Sequence, residues 1–121
     1  MVTELAYAKI NLFLDVVGLR EDGFHDIKTV MQTVSLSDVV EIEAERSCGR
    51  SVSLVMADSN LPENGQNLAY RAAVEYMNDA SLEARVSIRV KKRIPVAAGL
   101  AGGSSDAAAV LRGLEIGRAH V

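Results

Sequence analysis

Residues Pro95 to Ala109 read PVAAGLAGGSSDAAA, and this stretch is the strongest indication of the fold. Three of the nine glycines in the chain fall in it within five residues, and two serines and an alanine-rich run follow. Just upstream, residues 84–91 alternate apolar and polar side chains, which is typical of a half-buried strand. The predicted order is therefore strand, glycine-rich segment (residues 95–105) and helix. Such an order can direct several backbone N–H groups and the positive end of a helix at one point, where a phosphate group can bind.

The glycine-rich segment is not one of the two commonest phosphate loops. A Walker A loop needs a lysine directly after its last glycine, and a dinucleotide-binding turn needs G-x-G-x-x-G; residues 95–105 have neither. Backbone amides and the start of the helix would then hold most of the phosphate charge, with Mg²⁺ neutralising the rest. The alternative is a flexible hinge or tight turn in which glycine only supplies a positive φ.

The composition is that of a soluble globular protein. The 121 residues allow one domain, and 49% hydrophobic with 24% charged residues is ordinary for such a domain. A net charge of −3 without a basic face argues against nucleic-acid binding. No run approaches the length of a membrane helix, no signal peptide opens the sequence, and Cys48 is the single cysteine. We therefore expect a cytoplasmic protein without a disulfide framework or membrane contact.

Hydrophobic periodicity predicts an α+β fold, because the strands are grouped first and the helices come later. We expect the early strands to form antiparallel hairpins, which gives a mostly antiparallel sheet with helices packed on it. Asn67 is a credible N-cap for the first helix, and the second helix begins at the serines. The predicted strands are 8–17, 27–35, 38–46, 51–56 and 84–91, and the predicted helices are 68–78 and 104–114.

The first predicted strand places two polar side chains on one face. Ile10 and Leu12 would face the core, so that Lys9 and Asn11 share the opposite face. An ammonium and a carboxamide are thereby held side by side on a rigid element, which suits a polar ligand. The simpler interpretation is that Lys9 is a solvated surface residue, as most lysines are.

Two segments together resemble the GHMP kinases, a superfamily of small-molecule kinases. They are AKINLFLDVVGLREDGFHDIKTVMQ, residues 8–32, and PVAAGLAGGSSDAAAVL, residues 95–111. The A-K-I-N opening and the G-F-H turn are similar to those of members that phosphorylate a hydroxyl of a cytidine-diphosphate-linked methylerythritol in the non-mevalonate isoprenoid pathway. The resemblance covers residues 6–114. It implies a ribosomal protein S5 domain 2-like fold, of which this chain would hold the N-terminal part.

The resemblance also implies roles for residues on the substrate side. Lys9 matches the active-site lysine near the reacting hydroxyl. Asn11 and His25 match substrate contacts, with His25 hydrogen-bonding the cytosine edge. Phe24 falls where family members often carry a tyrosine that stacks on the base, and phenylalanine keeps the π face needed for stacking.

On the nucleotide side, the implied cofactors are ATP and Mg²⁺. Asn67 and Lys92 match positions near the adenine. The residues that match the segment wrapping the ATP phosphates are Pro95, Val96, Ala97, Ala98, Gly99, Leu100, Ala101, Gly102, Gly103, Ser104 and Ser105.

Simpler roles stay open for several of these positions. Asn67 can be a helix cap alone, and a histidine in a turn, such as His25, is often exposed and without function. Asp106 follows the serines and invites assignment as a catalytic base. We favour instead a stabilising role for Asp106 in the first helical turn, next to the positive helix end. The family's catalytic aspartate lies in a later G-x-D-V-P-like segment, which these 121 residues do not contain.

Residues 115–121, EIGRAHV, do not follow the family pattern. Gly117 would weaken a helix by about 1 kcal/mol, and the segment also matches the translated start of a common sequencing adapter. We therefore expect residues 1–114 to be the truncated N-terminal ATP-binding portion of a GHMP kinase and residues 115–121 to be a non-native tail. Without the catalytic aspartate, such a fragment should have little or no kinase activity.

Other functions stay open at this point. The first is another GHMP small-molecule kinase, of the mevalonate or homoserine type. The second is a non-catalytic nucleotide-binding module that acts through partners. The third is an RNA-binding domain, because the implied fold resembles a ribosomal-protein domain; the net charge of −3 and an aromatic content of 4% argue against it. The sequence does not indicate an oligomeric state.

Overall fold

A computed structural model describes the backbone of residues 1–19, 25–96 and 102–118, and the side chains of residues 1–10, 32–96 and 102–118. Within these ranges the chain forms strands first and helices later, so the predicted α+β class is confirmed. The elements in chain order are β1 (Val2–Leu19), β2 (His25–Arg46), β3 (Ser51–Ala57), α1 (Leu68–Asp79), β4 (Ala84–Lys91) and α2 (Gly102–Arg118).

The described strands form one sheet in the order β1-β2-β4-β3. β2 pairs antiparallel with both β1 and β4, whereas β3 and β4 are parallel. The mostly antiparallel sheet is confirmed, but the hairpin expected between residues 38–46 and 51–56 is wrong, because β4 lies between β2 and β3. A parallel pair needs a crossover connection, and α1 provides it. Alternation of apolar and polar residues fixes the buried face of a strand and does not specify its neighbour.

The lengths of several elements differ from the prediction. Segments 27–35 and 38–46 are parts of one strand, β2, which pairs with β1 along nearly its whole length. Register shifts on β1 after Tyr7 and after Asn11 interrupt the regular pairing without ending either strand. β4 has the predicted limits and α1 extends one residue further. α2 begins at Gly102 and continues to Arg118, so the last two glycines of the glycine-rich segment belong to its first turn.

Both helices pack on one face of the sheet and bury its alternate residues. In β4, Val86, Ile88 and Val90 are buried, and the residues between them are exposed. Gly113 lets α2 approach β2 closely, because a Cβ at this position would overlap the side chain of Ile42. Further members of this core are Val40, Leu54, Met56, Ala69, Ala73, Met77, Ala109, Val110 and Leu114.

The opposite face of the sheet, where its side chains are described, is mostly polar, although Val55 is also exposed on it. Exposed cross-strand ion pairs lie on it, with Arg85 at 2.7 Å from Glu45 and Lys91 at 3.3 Å from Glu41. Such exposed pairs contribute little to stability. Neither of the two described helices combines the length and the hydropathy that crossing a membrane requires.

Candidate functional site

Lys9 and the first turn of α2 line the same cleft. Ala8 on β1 is fully buried, so the side chain of the next residue, Lys9, lies on the exposed face of the strand. The cleft has a volume of about 550 Å³, and Ser104 and Ser105 line it together with Lys9. The predicted catalytic lysine is therefore close to the end of the predicted phosphate-binding segment.

Side-chain hydrogen bonds fix α2 against β1 beside this cleft. Ser105 Oγ donates to the carbonyl oxygen of Tyr7 at 2.7 Å, and Arg112 Nη2 donates to that of Leu5 at 3.2 Å. Arg112 Nε also lies 3.3 Å from Glu4 Oε2. Because these partners are on the strand that carries Lys9, the bonds set the position of the helix relative to the lysine.

A buried ionic cluster of Asp38, Lys92 and Asp106 lies beneath the start of α2. Lys92 Nζ lies 2.6 Å from Asp38 Oδ2 and 3.2 Å from Asp106 Oδ2. Asp38 Oδ1 also accepts hydrogen bonds from the backbone amides of Arg93, at 2.7 Å, and Ile94, at 2.9 Å. The side chains of Asp38, Asp106 and Lys92 are 0%, 5% and 7% exposed, so all three charged groups are almost completely removed from water.

The three groups shift one another's pKa values. Burial alone would raise the pKa of Asp38, but hydrogen bonds from Asp106, from two backbone amides and from Lys92 lower it below the usual value. Burial raises the pKa of Asp106 to about 7, reinforced by the hydrogen bond and negative charge of Asp38 and opposed by Lys92. Burial would lower the pKa of Lys92, yet its hydrogen bond to Asp38 and the charge of Asp106 raise it. Asp38 and Lys92 are therefore charged at neutral pH, and Asp106 titrates near neutrality.

The sequence interpretation missed Asp38 and placed Asp106 wrongly. α2 begins at Gly102, so Asp106 is beyond the first turn and its carboxylate lies in the buried cluster instead of at the helix end. The available signal for Asp38 was a single acidic residue at an apolar position, directly before Val39 and Val40. Buried acidic groups need partners, and these partners are far away in the sequence.

A second cleft, of about 390 Å³, lies at the other end of the glycine-rich segment. Lys92, Pro95 and Val96 line it together with residues 58–60. Three positions predicted to contact the nucleotide are thus on one surface. The ammonium of Lys92, however, is directed into the ionic cluster, and its contact with adenine stays a prediction.

Asn67 caps α1, as predicted. Its Oδ1 accepts the backbone N–H of Ala69 at 2.9 Å, and its Nδ2 donates to the carbonyl oxygen of Pro62 at 2.9 Å. The backbone of Asn67 has φ −94° and ψ 131°, the extended conformation of an N-cap residue. Its adenine contact stays a prediction, since both ends of its amide group are already engaged by the protein.

Several predicted site residues lie outside the described residues. They are Phe24, residues 97–101, and the side chains of Asn11 and His25. Their backbone positions place Asn11 on β1, two residues after Lys9, and His25 opposite Leu19 at the start of β2. The roles of these residues stay predictions.

A larger cleft, of about 690 Å³, separates α1 from α2 on the outer side of the helices. Its walls include the exposed side chains of Leu68 and Leu111. Ser104 lines it, but Lys9, Asn67, Lys92, Pro95 and Val96 do not. We therefore place the candidate site at the two smaller clefts.

Comparison with known proteins identifies relatives. The profile of the GHMP kinases N-terminal domain matches residues 67–116. 4-Diphosphocytidyl-2-C-methyl-D-erythritol kinase of Clostridium acetobutylicum is 48% identical over 109 residues, which are 90% of this chain and 38% of the relative. The enzyme of the same name from Clostridium tetani is 50% identical over 109 residues, again 90% of this chain and 38% of the relative. The chain thus spans about two fifths of the length of these curated relatives.

Solved structures agree with the sequence relatives. A crystal structure of 4-(cytidine 5′-diphospho)-2C-methyl-D-erythritol kinase superposes with a TM-score of 0.81 at 41% identity, covering 95% of this chain and 40% of that one. Homoserine kinase from Cytophaga hutchinsonii has a TM-score of 0.69 at 17% identity, covering 95% of this chain and 34% of that one, and shows the fold alone. Residues 67–116 therefore match a GHMP kinase N-terminal domain, and the chain is similar to the N-terminal part of these kinases over most of its length.

Proposed function

We propose that this chain supplies the ATP-binding part of a kinase that transfers the γ-phosphoryl group of ATP to a hydroxyl of 4-diphosphocytidyl-2-C-methyl-D-erythritol. The observation that supports this most strongly is the cleft shared by Lys9, Ser104 and Ser105. Phosphoryl transfer needs positioned reactants and positive charge around the transferring group. A lysine opposite a helix N-terminus offers both.

The start of α2 is the proposed site for the ATP phosphates. Its first residues, Gly102 and Gly103, have no side chains of their own, and the helix of 17 residues directs its positive end there. Ser104 and Ser105 add hydroxyl groups next to these amides. Ser105 Oγ is bonded to Tyr7 in this arrangement, which leaves the amides and Ser104 as the principal groups for phosphate.

Lys9 is the proposed group that balances the negative charge at the transferring phosphoryl group. It lies on β1, which is fixed to α2 through Ser105 and Arg112, and Lys9 lines the cleft between them. Asn11 and His25 would contact the cytidine-linked substrate, and Phe24 would stack on its base. These assignments rest on the family resemblance and on the positions of Asn11 and His25 along the β1–β2 pair.

Mg²⁺ would enter this site with the nucleotide. In the described part of the chain, no three acidic, histidine or cysteine side chains are close enough to hold a metal ion by themselves. Mg²⁺ in kinases is commonly bound by substrate phosphates, waters and one or two carboxylates, so a dedicated protein cage is not needed. When bound, the ion would neutralise phosphate charge, and we assign no residue of this chain to it.

A chimeric enzyme tests the proposed function. Residues 1–114 would be joined to the part of the Clostridium acetobutylicum relative that follows the aligned region, and ADP release would be measured with three alcohols. We expect turnover with 4-diphosphocytidyl-2-C-methyl-D-erythritol and none with homoserine or mevalonate. The unmodified relative, assayed in parallel, is the control for the second half.

Each other outcome of this assay contradicts the proposal in a specific way. Turnover with homoserine or mevalonate alone would assign the chain to another GHMP kinase. A folded chimera that binds ATP but phosphorylates none of the three alcohols would indicate a non-catalytic nucleotide-binding module. We also propose that the 121-residue chain alone has little or no kinase activity, because it contains no G-x-D-V-P-like segment to supply the catalytic aspartate.

A further inference from the structure

The buried cluster of Asp38, Lys92 and Asp106 joins the two ends of the glycine-rich segment. Lys92 lies just before that segment, at the end of β4, and Asp106 directly follows it on α2. Asp38 lies on β2, in the centre of the sheet, and is paired with Ala6 of β1. One ammonium group therefore connects the entrance of the segment, its exit and the sheet beneath it.

Asp38 fixes the entrance. Its Oδ1 accepts the amides of Arg93 and Ile94, at 2.7 and 2.9 Å, and its Oδ2 accepts the ammonium of Lys92 at 2.6 Å. Three hydrogen bonds to one fully buried carboxylate hold the direction in which the chain leaves β4. Ile94 is itself buried, so this part of the backbone is held by both polar and apolar contacts.

Lys92 and Gly102 fix the exit. Lys92 Nζ reaches Asp106 Oδ2, at 3.2 Å, one helical turn beyond the first residue of α2. A Cβ on Gly102 would lie 3.0 Å from Lys92 Nζ and 3.1 Å from Ile94 Cγ2. The start of α2 thus rests directly on the cluster, and a side chain at Gly102 would force Lys92 or Ile94 to move by a few tenths of an ångström.

Stability alone does not account for this cluster. Removing charged groups from water is costly, and buried ion pairs can often be replaced by apolar residues without loss of stability. Two carboxylates share one ammonium here, and all three charged groups are almost completely removed from water. An arrangement of this kind suits a role in which the exact position of the surrounding backbone matters.

We infer that Asp38, Lys92 and Asp106 are positioning residues that clamp the two ends of the glycine-rich segment, so that the amides at the start of α2 keep the geometry that binds a polyphosphate. The inference rests on the proposed function, in which this segment holds the ATP phosphates. The clamp acts through the backbone. It therefore affects any ligand with a polyphosphate group, including one that has no adenine.

Inorganic tripolyphosphate is the probe for the clamp, and the 121-residue chain is the sample. Isothermal titration calorimetry would compare the unmodified chain with Asp106→Leu, which removes the contact to Lys92, and with Asp106→Asn, which keeps an oxygen to accept from Lys92. We expect Asp106→Leu to weaken tripolyphosphate binding at least tenfold and Asp106→Asn to restore it to within about threefold. Asp79→Leu, an exposed site on α1 with the same charge change, should bind at least as tightly as the unmodified chain.

The same substitutions in the chimera separate positioning from folding. We expect Asp106→Leu and Asp38→Asn to raise the KM for ATP at least tenfold while the KM for the cytidine-linked substrate stays within about twofold. A purely structural role would lower the amount of active enzyme and leave both KM values unchanged. If Asp106→Leu does not fold, Asp38→Asn and Gly102→Ala provide the same comparison.

The outcomes distinguish the clamp from the proposed function. If the unmodified chain binds tripolyphosphate and Asp106→Leu binds it equally well, the clamp is contradicted and the phosphate site is retained. If the unmodified chain binds no tripolyphosphate but the chimera is active, the KM values for ATP in the chimera variants test the clamp. An unchanged KM for ATP in Asp106→Leu would then contradict it. If neither the chain nor the chimera interacts with ATP, the proposed function is contradicted, and the clamp with it.

Discussion

The hydroxyl of Ser105 donates a hydrogen bond of 2.7 Å to the carbonyl oxygen of Tyr7. Tyr7 lies two residues before Lys9 on β1, and Ser105 is in the first turn of α2. This hydrogen bond therefore helps to link the strand that carries the proposed catalytic lysine with the helix whose start is the proposed phosphate site. It sets the distance between the two walls of the cleft that they share.

Ser105→Ala tests this link. Alanine is a good helix former, so the loss of one hydrogen bond should change the free energy of unfolding by only about 1 kcal/mol. In the chimera we expect kcat/KM for ATP to fall about tenfold, because the start of α2 loses its direct bond to β1 while the Arg112 contacts remain. Steady-state kinetics and urea denaturation measure the two effects, and Ser53→Ala, exposed on β3, is the control. Unchanged kinetics with Ser105→Ala would argue against a positioning role for this bond.

Lys9→Ala should separate binding from chemistry. The ammonium is proposed to stabilise charge at the transferring phosphoryl group, so kcat should fall about 100-fold or more while the affinity for ATP changes little. Lys91→Ala is the matched control, because Lys91 is a lysine on the exposed face of β4, paired with Glu41. Chimera kinetics give kcat, and calorimetry gives the ATP affinity. Equal kcat values for the two variants would show that Lys9 does not take part in catalysis.

Asn67 has an established capping role and a proposed nucleotide role, and two substitutions distinguish them. Asn67→Ser keeps an oxygen that can accept from Ala69 and loses the Nδ2 donor, whereas Asn67→Ala loses both. We expect Asn67→Ala to cost about 1 kcal/mol in stability and Asn67→Ser much less. If Asn67 contacts adenine, both should weaken ATP binding and leave tripolyphosphate binding unchanged. Normal ATP binding by Asn67→Ser would contradict the adenine contact and leave helix capping as the role of Asn67.

The raised pKa of Asp106 predicts how stability varies with pH. A carboxyl group with a pKa of about 7 in the folded chain and 3.8 as its ordinary value binds more protons in the folded state between these values. Its contribution to stability is therefore full below pH 3.8 and is lost as the pH rises through about 7. The opposite holds for Asp38, whose pKa is lowered in the folded chain. Its contribution to stability is present above its ordinary pKa and is lost as the pH falls through the pKa of the folded state.

Asp106→Asn isolates this effect, because asparagine does not titrate and Asp38 is present in both proteins. The stability of the unmodified chain relative to Asp106→Asn should decrease between about pH 4 and pH 7, with a slope of up to about 1.4 kcal/mol per pH unit. Urea denaturation at pH 4.5, 6 and 7.5 measures it. A difference that does not vary with pH, or one that changes in the opposite direction, would show that Asp106 is ionised throughout.

Local patterns predicted the elements well and their partners poorly. β4 and α1 were predicted almost to the residue, because alternation in β4 and the helical period after the Asn67 cap are signals within one segment. The position of β4 between β2 and β3 was not predictable in this way, since it depends on pairing between residues 38 to 52 positions apart in the sequence. The continuity of β2 was missed because the polar residues near Ser35 and Ser37 resemble a turn.

The candidate site shows the same difference between signals within one segment and contacts between distant segments. Lys9 and Ser104 were identified from motifs, and the structure brings them to one cleft. The cluster of Asp38, Lys92 and Asp106 was not identified as a unit, because Lys92 is 54 residues from Asp38 and 14 from Asp106. Only folding creates this contact. Motifs therefore indicated the residues proposed to contact the ligand, and the structure was needed to find the buried cluster proposed to position them.

The central claim is that backbone amides at the start of α2 bind the phosphates of ATP. Titration of the ¹⁵N-labelled chain with ADP, followed by two-dimensional NMR, tests it most directly. We predict saturable shifts of the Gly102, Gly103 and Ser104 amides, with the amide of Gly49 unchanged, since Gly49 lies in the connection between β2 and β3 and lines neither cleft of the candidate site. Shifts confined to other parts of the chain, or no saturable shift at millimolar ADP, would contradict the account.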